Sequence, residues 1–367
     1  SAATGYFYVG IQDSSYLHVV TLSGAVDVST VATPAPTTAV LPVPAPTKAP
    51  TGAVVPVPAP TEAPTKAPSA AAAPGSAVEV FNVKLGKSPS GMYYYPAQGL
   101  LYVLCGTATN SDHYLYAYSL AGAQQCLITI PQAVGMSRVD GFTINAAGTK
   151  AYIADSQGPI YASTMLGGSI YELVWDNPCG CTAEGTCAST AVSWTPTITN
   201  TIVLDALDPA ISDGGGADDY YRNSGALLTA DELSIFSVDG VHPISGSLSA
   251  SYPKSLLKIS LADGSVEQRW AYDAATLGHD VDFEALTCGP DACAEFLYIG
   301  DEWNYVYQMR ISEADPGAAI VQEWNLSTIV DSTSSGTISN DKGIESLTFS
   351  AATGYFYVGI QDSSYLH

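Results

Sequence analysis

The stretch IESLTFSAATGYFYVGIQD, residues 344–362, has the pattern of two β-strands joined by a short turn. An acidic residue, Glu345, stands near its start, and Thr and Ser then alternate with large apolar residues. After the small residues of SAATG, a second apolar run, YFYVGI, begins. Alternating apolar residues bounded by turn-forming ones are typical of strands. This stretch therefore predicts all-β structure.

Four other stretches share the pattern. They are SGMYYYPAQGLLYVLCG (90–106), VDGFTINAAGTKAYIADS (139–156), ADELSIFSVDG (230–240) and FEALTCGPDACAEFLYIGDE (283–302). Repeated units of a few short strands predict the blades of a β-propeller. Five units favour five blades. The long gap between Asp140 and Asp231 leaves six blades as the alternative.

The two ends of the chain carry the same sequence. Residues 1–18 read SAATGYFYVGIQDSSYLH, and residues 350–367 repeat them without change. We expect the chain to be one window on a tandem array. On this interpretation residues 1–29 are the terminal strands of a preceding propeller. Residues 77–367 form a propeller whose incomplete final blade is completed by the equivalent of residues 19–29.

A proline-rich segment separates these two parts. Residues 30–76 are rich in Pro, Ala and Thr, and they include two near-identical copies, AVLPVPAPTKAPTG (39–52) and AVVPVPAPTEAPTK (53–66). Proline fixes φ and removes a hydrogen-bond donor, so this composition predicts polyproline II. We expect residues 34–74 to run as an ordered tether along neighbouring propellers. Its threonines are candidate sites for O-linked glycans.

The charge of the chain limits its partners. Twelve Lys and Arg stand against 35 Asp and Glu, giving a net charge of −23. Nucleic acids and anionic membrane surfaces attract clustered positive charge, so neither is an expected partner. The sequence also predicts no membrane insertion, because it contains no long apolar run. The expected partners are copies of the same chain.

Cysteine spacing predicts disulfides and an extracellular or cell-surface location. Cys288 and Cys293 enclose the short loop GPDA, which suits a disulfide between strand ends. A zinc site is the alternative, but no histidine lies near these cysteines. The disulfide candidates are Cys105, Cys126, Cys179, Cys187, Cys288 and Cys293. Cys105 and Cys126 fall in neighbouring predicted strands, whereas the pairing within CGCTAEGTC, which also contains Cys181, stays open.

One sequon, Asn325-Leu326-Ser327, is a predicted N-glycosylation site and agrees with secretion.

Acidic residues recur at the start of the predicted blades and are candidate calcium ligands, since calcium prefers oxygen donors. The candidates are Asp140, Asp231, Asp282, Glu284 and Glu345. In the stretch GHDVDFEALT, strand alternation would place Asp280, Asp282 and Glu284 on one face, close to His279. We expect Asp140, Asp231, Glu284 and Glu345 to converge on the propeller axis.

Strand starts such as VDFEALT resemble those of the phytase-like and related six-bladed propellers. The resemblance implies a propeller fold and calcium held near the central channel, at the matching positions Asp140, Glu284 and Glu345, with Asp231 a looser match. A phytase-type site also needs basic residues that bind phosphate. This chain departs from that pattern, because its four arginines, Arg138, Arg222, Arg269 and Arg310, are scattered.

No catalytic motif is present in the sequence: it contains no HExxH, GxSxG or phosphate-binding glycine loop. Two functions therefore compete. The first is a structural subunit of an extracellular fibre, appendage or matrix, built from tandem propellers and ordered proline-rich tethers. The alternative is a secreted, calcium-dependent, phytase-like hydrolase on a proline-rich stalk.

Overall fold

The structure, a computed structural model, describes ten segments of the chain. These are residues 15–22, 77–85, 88–105, 111–156, 168–204, 219–243, 254–272, 277–278, 281–327 and 343–360. The predicted tether, residues 30–76, lies outside the described residues, as do His279 and Asp280. Among the described residues, no helix has the length and hydropathy needed to cross a membrane.

Strands dominate the described chain and form five sheets, here called blades 1 to 5. Blade 1 contains β3 (Gly91–Tyr95), β4 (Leu100–Cys105), β5 (His113–Ser119), β6 (Gln124–Ile130) and the short β10 (Ala191–Ser193). Blade 2 contains β7 (Val139–Ile144), β8 (Lys150–Asp155), β9 (Ser169–Val174) and β11 (Ile198–Val203). Blade 3 contains β12 (Asp219–Leu228), β13 (Ser234–Pro243), β14 (Lys254–Ser260) and β15 (Val266–Tyr272).

The remaining two blades come from both ends of the described chain. Blade 4 contains β16 (Phe283–Cys288), β17 (Phe296–Asp301), β18 (Tyr305–Arg310) and β19 (Ile320–Asn325). Blade 5 contains β20 (Ile344–Ser350), β21 (Tyr355–Ile360), β1 (Ser15–Leu22) and β2 (Ala77–Leu85), in the spatial order β20-β21-β1-β2. A 3-10 turn, Gln132–Val134, and a one-turn helix α1, Pro316–Ala319, lie between strands.

The arrangement of the blades confirms the predicted all-β propeller. The inner strands β3, β7, β12, β16 and β20 follow one another around an axis, and β20 lies beside β3 to close the ring. Four of the five sheets are four-stranded blades, and blade 1 carries one strand more, because β10 adds in parallel to β6.

Local sequence explains the hairpins that build each blade. Between β20 and β21, the N–H of Gly354 donates to the carbonyl of Ser350 at 2.8 Å. Gly354 has φ +72°, a left-handed conformation that glycine adopts without steric cost. The alternating residues on either side then turn their apolar side chains towards the neighbouring blades.

Glycines bring the inner strands close together at the axis. A Cβ on Gly91 would lie 2.9 Å from the Cα of Gly141, and one on Gly141 would lie 2.6 Å from the backbone N of Ala226. The axial cavity between the strands accordingly has a volume of about 10 Å³. That is room for about one water molecule.

The core lies between the faces of adjacent blades. Between blades 1 and 2, Trp175 packs edge-on against Tyr102, with ring centroids 5.4 Å apart, and against Trp194, at 5.1 Å. All three side chains are buried. Large aromatic rings in edge-to-face contact contribute more than their buried area alone.

Blade 5 is completed by a strand from the other end of the chain. β1 lies between β21 and β2 and is antiparallel to both. Its Val20 is fully buried, in a core cluster that includes Trp324, Phe356 and Val358. The assignment of residues 1–29 to a preceding repeat concerns a longer chain and stays a prediction.

Three disulfides are present, which indicates an oxidising environment. They join Cys126 to Cys179, Cys181 to Cys187, and Cys288 to Cys293. The predicted Cys288–Cys293 bond is confirmed, with its Cα atoms 4.7 Å apart.

The predicted participation of Cys105 is wrong. Cys105 ends β4 and Cys126 lies in β6, and the whole of β5 runs between these two strands. Two strand spacings amount to about 9.5 Å, which is too far for a disulfide. Cys105 is instead a buried thiol. Cys126 pairs with Cys179, which covalently links blade 1 to the loop after β9 of blade 2, and Cys187 pairs with Cys181.

Candidate site at the propeller axis

Four of the five inner strands have a β-bulge, which lies near the start of β7, β16 and β20 and in the middle of β12. The register of pairing shifts between Val139 and Gly141, Asn223 and Gly225, Phe283 and Ala285, and Ile344 and Ser346. The extra residues are Asp140, Ser224, Glu284 and Glu345. A bulge leaves one residue outside the ladder and re-aims its side chain. Asp140, Glu284 and Glu345 line the axial cavity.

The structure brings together most, but not all, of the predicted acidic residues. Asp140, Glu284 and Glu345 meet at the axis, and Asp282 lies beside Glu284. Asp231 does not join them. It lies in the turn between β12 and β13, where its Oδ1 accepts hydrogen bonds from Thr229 Oγ1 at 2.7 Å and from the N–H of Leu233 at 3.1 Å.

The placement of Asp231 at the axis is therefore wrong, because the stretch ADELS follows the inner strand of blade 3 instead of starting it. The structural counterpart of the acidic position in that blade is Ser224.

Asp282, Glu284 and Glu302 form the tightest group of carboxylates. One oxygen from each lies within 4.8 Å of the others. The N–H of Glu302 donates to the carbonyl of Asp282 at 2.9 Å, which holds the two segments together. Glu302 was not among the predicted acidic ligands, although its position directly after the strand FLYIGD indicates it.

A buried aspartate fixes two of the acidic segments, those of blades 4 and 2. Asp301, the last residue of β17, accepts hydrogen bonds from the N–H groups of Asp282 at 2.8 Å and Trp303 at 2.7 Å. Asp155, the last residue of β8, does the same in blade 2 and accepts from Ser137 and Arg138. Both aspartates are fully buried. They therefore position the segment that leads into the next bulge and do not face the axis.

Two cations partly balance the carboxylates. Arg138 Nε lies 3.4 Å from Asp140 Oδ1, and this carboxylate raises the pKa of the guanidinium. Lys254 Nζ lies 2.8 Å from Asp282 Oδ1. Counting Asp140, Asp282, Glu284, Glu302 and Glu345 against Arg138 and Lys254, the site has a formal surplus of negative charge.

The surplus charge and the burial favour protonation of the central glutamates. Desolvation raises the pKa of Glu345 to about 8, and Asp140 and Asp282 add to this rise against the opposing effect of Arg138. Burial, with Asp282 and Glu345 nearby, also raises the pKa of Glu284 well above its ordinary value. The site can thus hold a proton at neutral pH or exchange it for a cation.

We expect stability to fall as pH rises from about 5 to 8. The pKa of Glu345 is near 4.5 in the unfolded chain and about 8 in the folded one, so the folded state binds more protons in this range. Stability is then highest below pH 4.5, as far as this group is concerned, and is lost as pH rises through 8. We expect the free energy of unfolding to fall by roughly 2–4 kcal/mol over this range, as measured by urea unfolding at a series of pH values.

The variant Glu345→Gln should reduce this slope, because the amide does not titrate, and Glu284, whose pKa is also raised, should cause the slope that remains. Glu184 is fully exposed, so Glu184→Gln is the matched control and should leave the slope unchanged. An unaltered slope in Glu345→Gln would show that another group causes the pH dependence.

Comparison with known proteins shows no family for this chain. No family model matches the chain, and no curated protein matches it. Raptor from Chaetomium thermophilum is 9% identical over 72% of this chain, with a TM-score of 0.35. The Dos1 propeller is 14% identical over 73%, with a TM-score of 0.35, and hydrazine synthase from Kuenenia stuttgartiensis is 12% identical over 78%, with a TM-score of 0.37.

The matches span 18% of the Raptor chain, 52% of the Dos1 chain and 74% of the hydrazine synthase chain. Similarities this low support no conclusion about the function of this chain. By its blades this chain is a β-propeller protein, and no family model assigns it to a phytase-like group.

Proposed function

We propose that the chain is a structural subunit of an extracellular fibre, appendage or matrix, in which proline-rich tethers join one propeller to the next. One observation carries the proposal. The sequence on each side of residues 23–76 belongs to a propeller sheet, since β1 and β2 are neighbouring strands of blade 5. A strand, a tether and a propeller in this order form a unit that can link to a copy of itself.

The register of β1 supports linkage between repeats. Tyr16 pairs with Ile360, and Tyr16 is the counterpart of Tyr365 in the duplicated sequence. If the chain continued from β21 as a simple hairpin, a four-residue loop would bring Tyr365 to the same partner. β1 therefore occupies the place that the next copy of its own sequence would take. Successive repeats could fill one another's blades in this way.

The composition of residues 23–76 favours a neighbouring propeller as the source of the strand. Leu22 and Ala77 are register partners, so pairing within one chain requires the ends of the segment to meet. A proline-rich segment of this length favours extension, at about 3.1 Å per residue in polyproline II. Insertion of β1 into the preceding copy avoids this return.

Other features support an extracellular location. The three disulfides fit an oxidising compartment. The sequon residue Asn325 is exposed at the end of β19, as an acceptor for a glycan must be. The threonines of the tether are further candidates for glycans.

Mixed cysteine variants test the proposal directly. We would co-express Tyr16→Cys and Ile360→Cys chains of different tag size, both with Cys105→Ala, under oxidising conditions. Antiparallel partners lie about 4.5–5.5 Å apart, within disulfide range. We expect a covalent dimer that contains one chain of each kind. For the parent chain, without the engineered cysteines, native mass measurement should show oligomers longer than a dimer.

The control pairs Tyr16→Cys with Val174→Cys, because Val174 lies exposed at the end of β9 and far from β1 in the blade order. This pair should give no dimer. If the first mixture also stays monomeric while the double variant Tyr16→Cys/Ile360→Cys closes within one chain, β1 serves only its own propeller and the fibre proposal is overturned.

We also propose calcium as a ligand of the axial site, held by Asp282, Glu284 and Glu302. Oxygen donors in such a group suit a hard cation, which would balance the surplus negative charge. The test repeats the pH titration with calcium present. Calcium should restore stability at pH 8 in the parent chain and restore it less in Glu284→Gln. No effect of calcium at pH 8 would contradict this proposal.

The hydrolase alternative has less support. The two cations at the axial site are each paired with a carboxylate, Arg138 with Asp140 and Lys254 with Asp282. Arg269 and Arg310 lie on β15 and β18, away from the inner strands. Among the described residues, the cations beside the axial carboxylates are therefore already paired with them, which leaves less support for the binding of a phosphate ester.

A further inference from the structure

The opposite end of the propeller axis opens into a second cavity, here called the apolar bowl. It is lined by residues at the far ends of the inner strands, including Tyr93, Tyr94, Ile144, Leu228, Glu232 and Phe349. Its volume is about 230 Å³. This bowl is separate from the axial site, which lies where the inner strands begin.

The wall of the bowl is fixed by hydrogen bonds between blades. The N–H of Tyr94 donates to Thr348 Oγ1 at 3.1 Å, and the N–H of Phe349 donates to Thr287 Oγ1 at 3.1 Å. These bonds connect the inner strands of blades 1, 5 and 4. A preformed cavity of this kind loses little conformational entropy when a ligand binds.

The bowl carries one fixed charge. Glu232 is the only charged residue among the described residues that line it. Its carboxylate is held at the rim by the N–H of Ala146 at 2.6 Å and by Asn145 Nδ2 at 3.4 Å. The ligand that fits is therefore mostly apolar, packs against aromatic rings and carries a positive charge at one end.

We propose that the apolar bowl binds the first proline-rich repeat, residues 39–50, of its own chain. Proline-rich segments dock on aromatic surfaces at low entropic cost, because polyproline II is already restricted. The stretch PVPAPTK places Lys48 just after its last proline, where it can pair with Glu232. This site deepens the proposed function, because it would hold the tether against a propeller.

The second repeat is a matched control within the chain. Residues 53–64 read AVVPVPAPTEAP and differ from AVLPVPAPTKAP only in Val55 for Leu41 and Glu62 for Lys48. Glu62 would meet Glu232 with like charge. A partly exposed ion pair is worth a factor of about two to five in binding, so the bowl should prefer the first repeat by at least that factor.

Photo-crosslinking in the full chain tests this preference. A p-benzoylphenylalanine probe replaces Phe349 or, as a second position, Tyr93, and the adducts are mapped by peptide mass. We expect adducts in residues 39–50 to exceed those in 53–64 about two- to fivefold. In a Glu232→Lys background the preference should reverse. An adduct within one chain migrates as a monomer under denaturing conditions, so the result does not depend on assembly. Adducts that only join two chains would contradict the proposal.

A probe in place of Val174, which is exposed on blade 2 away from the bowl, is the control and should show no preference. Three other results would each overturn the proposal. The first is that neither repeat forms an adduct with a probe at Phe349 or Tyr93. The second is that the two repeats give equal adduct yields and Glu232→Lys does not change them. The third is that a probe at Val174 shows the same preference as the probes in the bowl.

Discussion

Replacing Gly141 with alanine is expected to lower the free energy of unfolding by about 3 kcal/mol. The added Cβ would lie 2.6 Å from the backbone N of Ala226 and 3.0 Å from the carbonyl carbon of Gly225, both in the neighbouring inner strand β12. Backbone cannot rotate away as a side chain can, so the strands must separate around the whole ring. Urea unfolding measures the loss.

Gly354→Ala is the control for this experiment. Gly354 has φ +72° but no atom within 4 Å of its added Cβ, so alanine there meets conformational strain without crowding. We expect a cost of about 1 kcal/mol. Equal losses in the two variants would mean that the inner strands do not approach as closely as the structure shows.

Replacing Val20 with aspartate is expected to release β1 from blade 5. Val20 is fully buried among Trp324, Phe356 and Val358, and no partner for a carboxylate is apparent in this apolar cluster of described residues. The free-energy cost of burying an unpaired charge exceeds the stabilisation that β1 gains by packing in blade 5. We therefore expect β1 to dissociate from the sheet. The free energy that holds β1 in the sheet should fall by about 4 kcal/mol. This raises the equilibrium constant for dissociation of β1 roughly a thousandfold.

Amide hydrogen exchange would follow the release of the strand. The amides of β21 that face β1, and those of β1 itself, should lose protection, whereas the rest of the propeller should keep it. Val20→Thr has nearly the same shape and is the control, for which we expect a loss of about 1–2 kcal/mol. Retained protection in Val20→Asp would show that β1 contributes little to the closure of the blade.

Much of the fold follows from short-range sequence pattern. The alternation in IESLTFS and YFYVGI determines which residues turn towards neighbouring blades, and SAATG supplies the turn. These signals act over a few residues, so a single sequence reveals them. The convergence of Asp140, Glu284 and Glu345 on the axis could also be predicted from the sequence, because each residue stands at the same place in its repeat.

Other features depend on contacts that the sequence does not display. Asp231 matched the letters of the repeat but lies after the inner strand, and the bulge of that blade carries Ser224. A bulge requires an extra residue, which need not be acidic. The acidic motif therefore predicted the wrong residue at this position of blade 3. Cys105 and Cys126 failed to pair because an intervening strand separates them, and the partner of Cys126 lies in another blade.

The pairing of Leu22 with Ala77 also determines how the molecule would respond to a pulling force. In a string of such units, the tether that follows β1 and the tether that precedes β2 would meet blade 5 at the same corner of the sheet, on adjacent antiparallel strands. Tension along a string of such units would enter and leave at this corner and would peel β1 from β2 one hydrogen bond at a time, since antiparallel bonds lie across the strands. The rest of the propeller would lie outside the line of force and would carry no load.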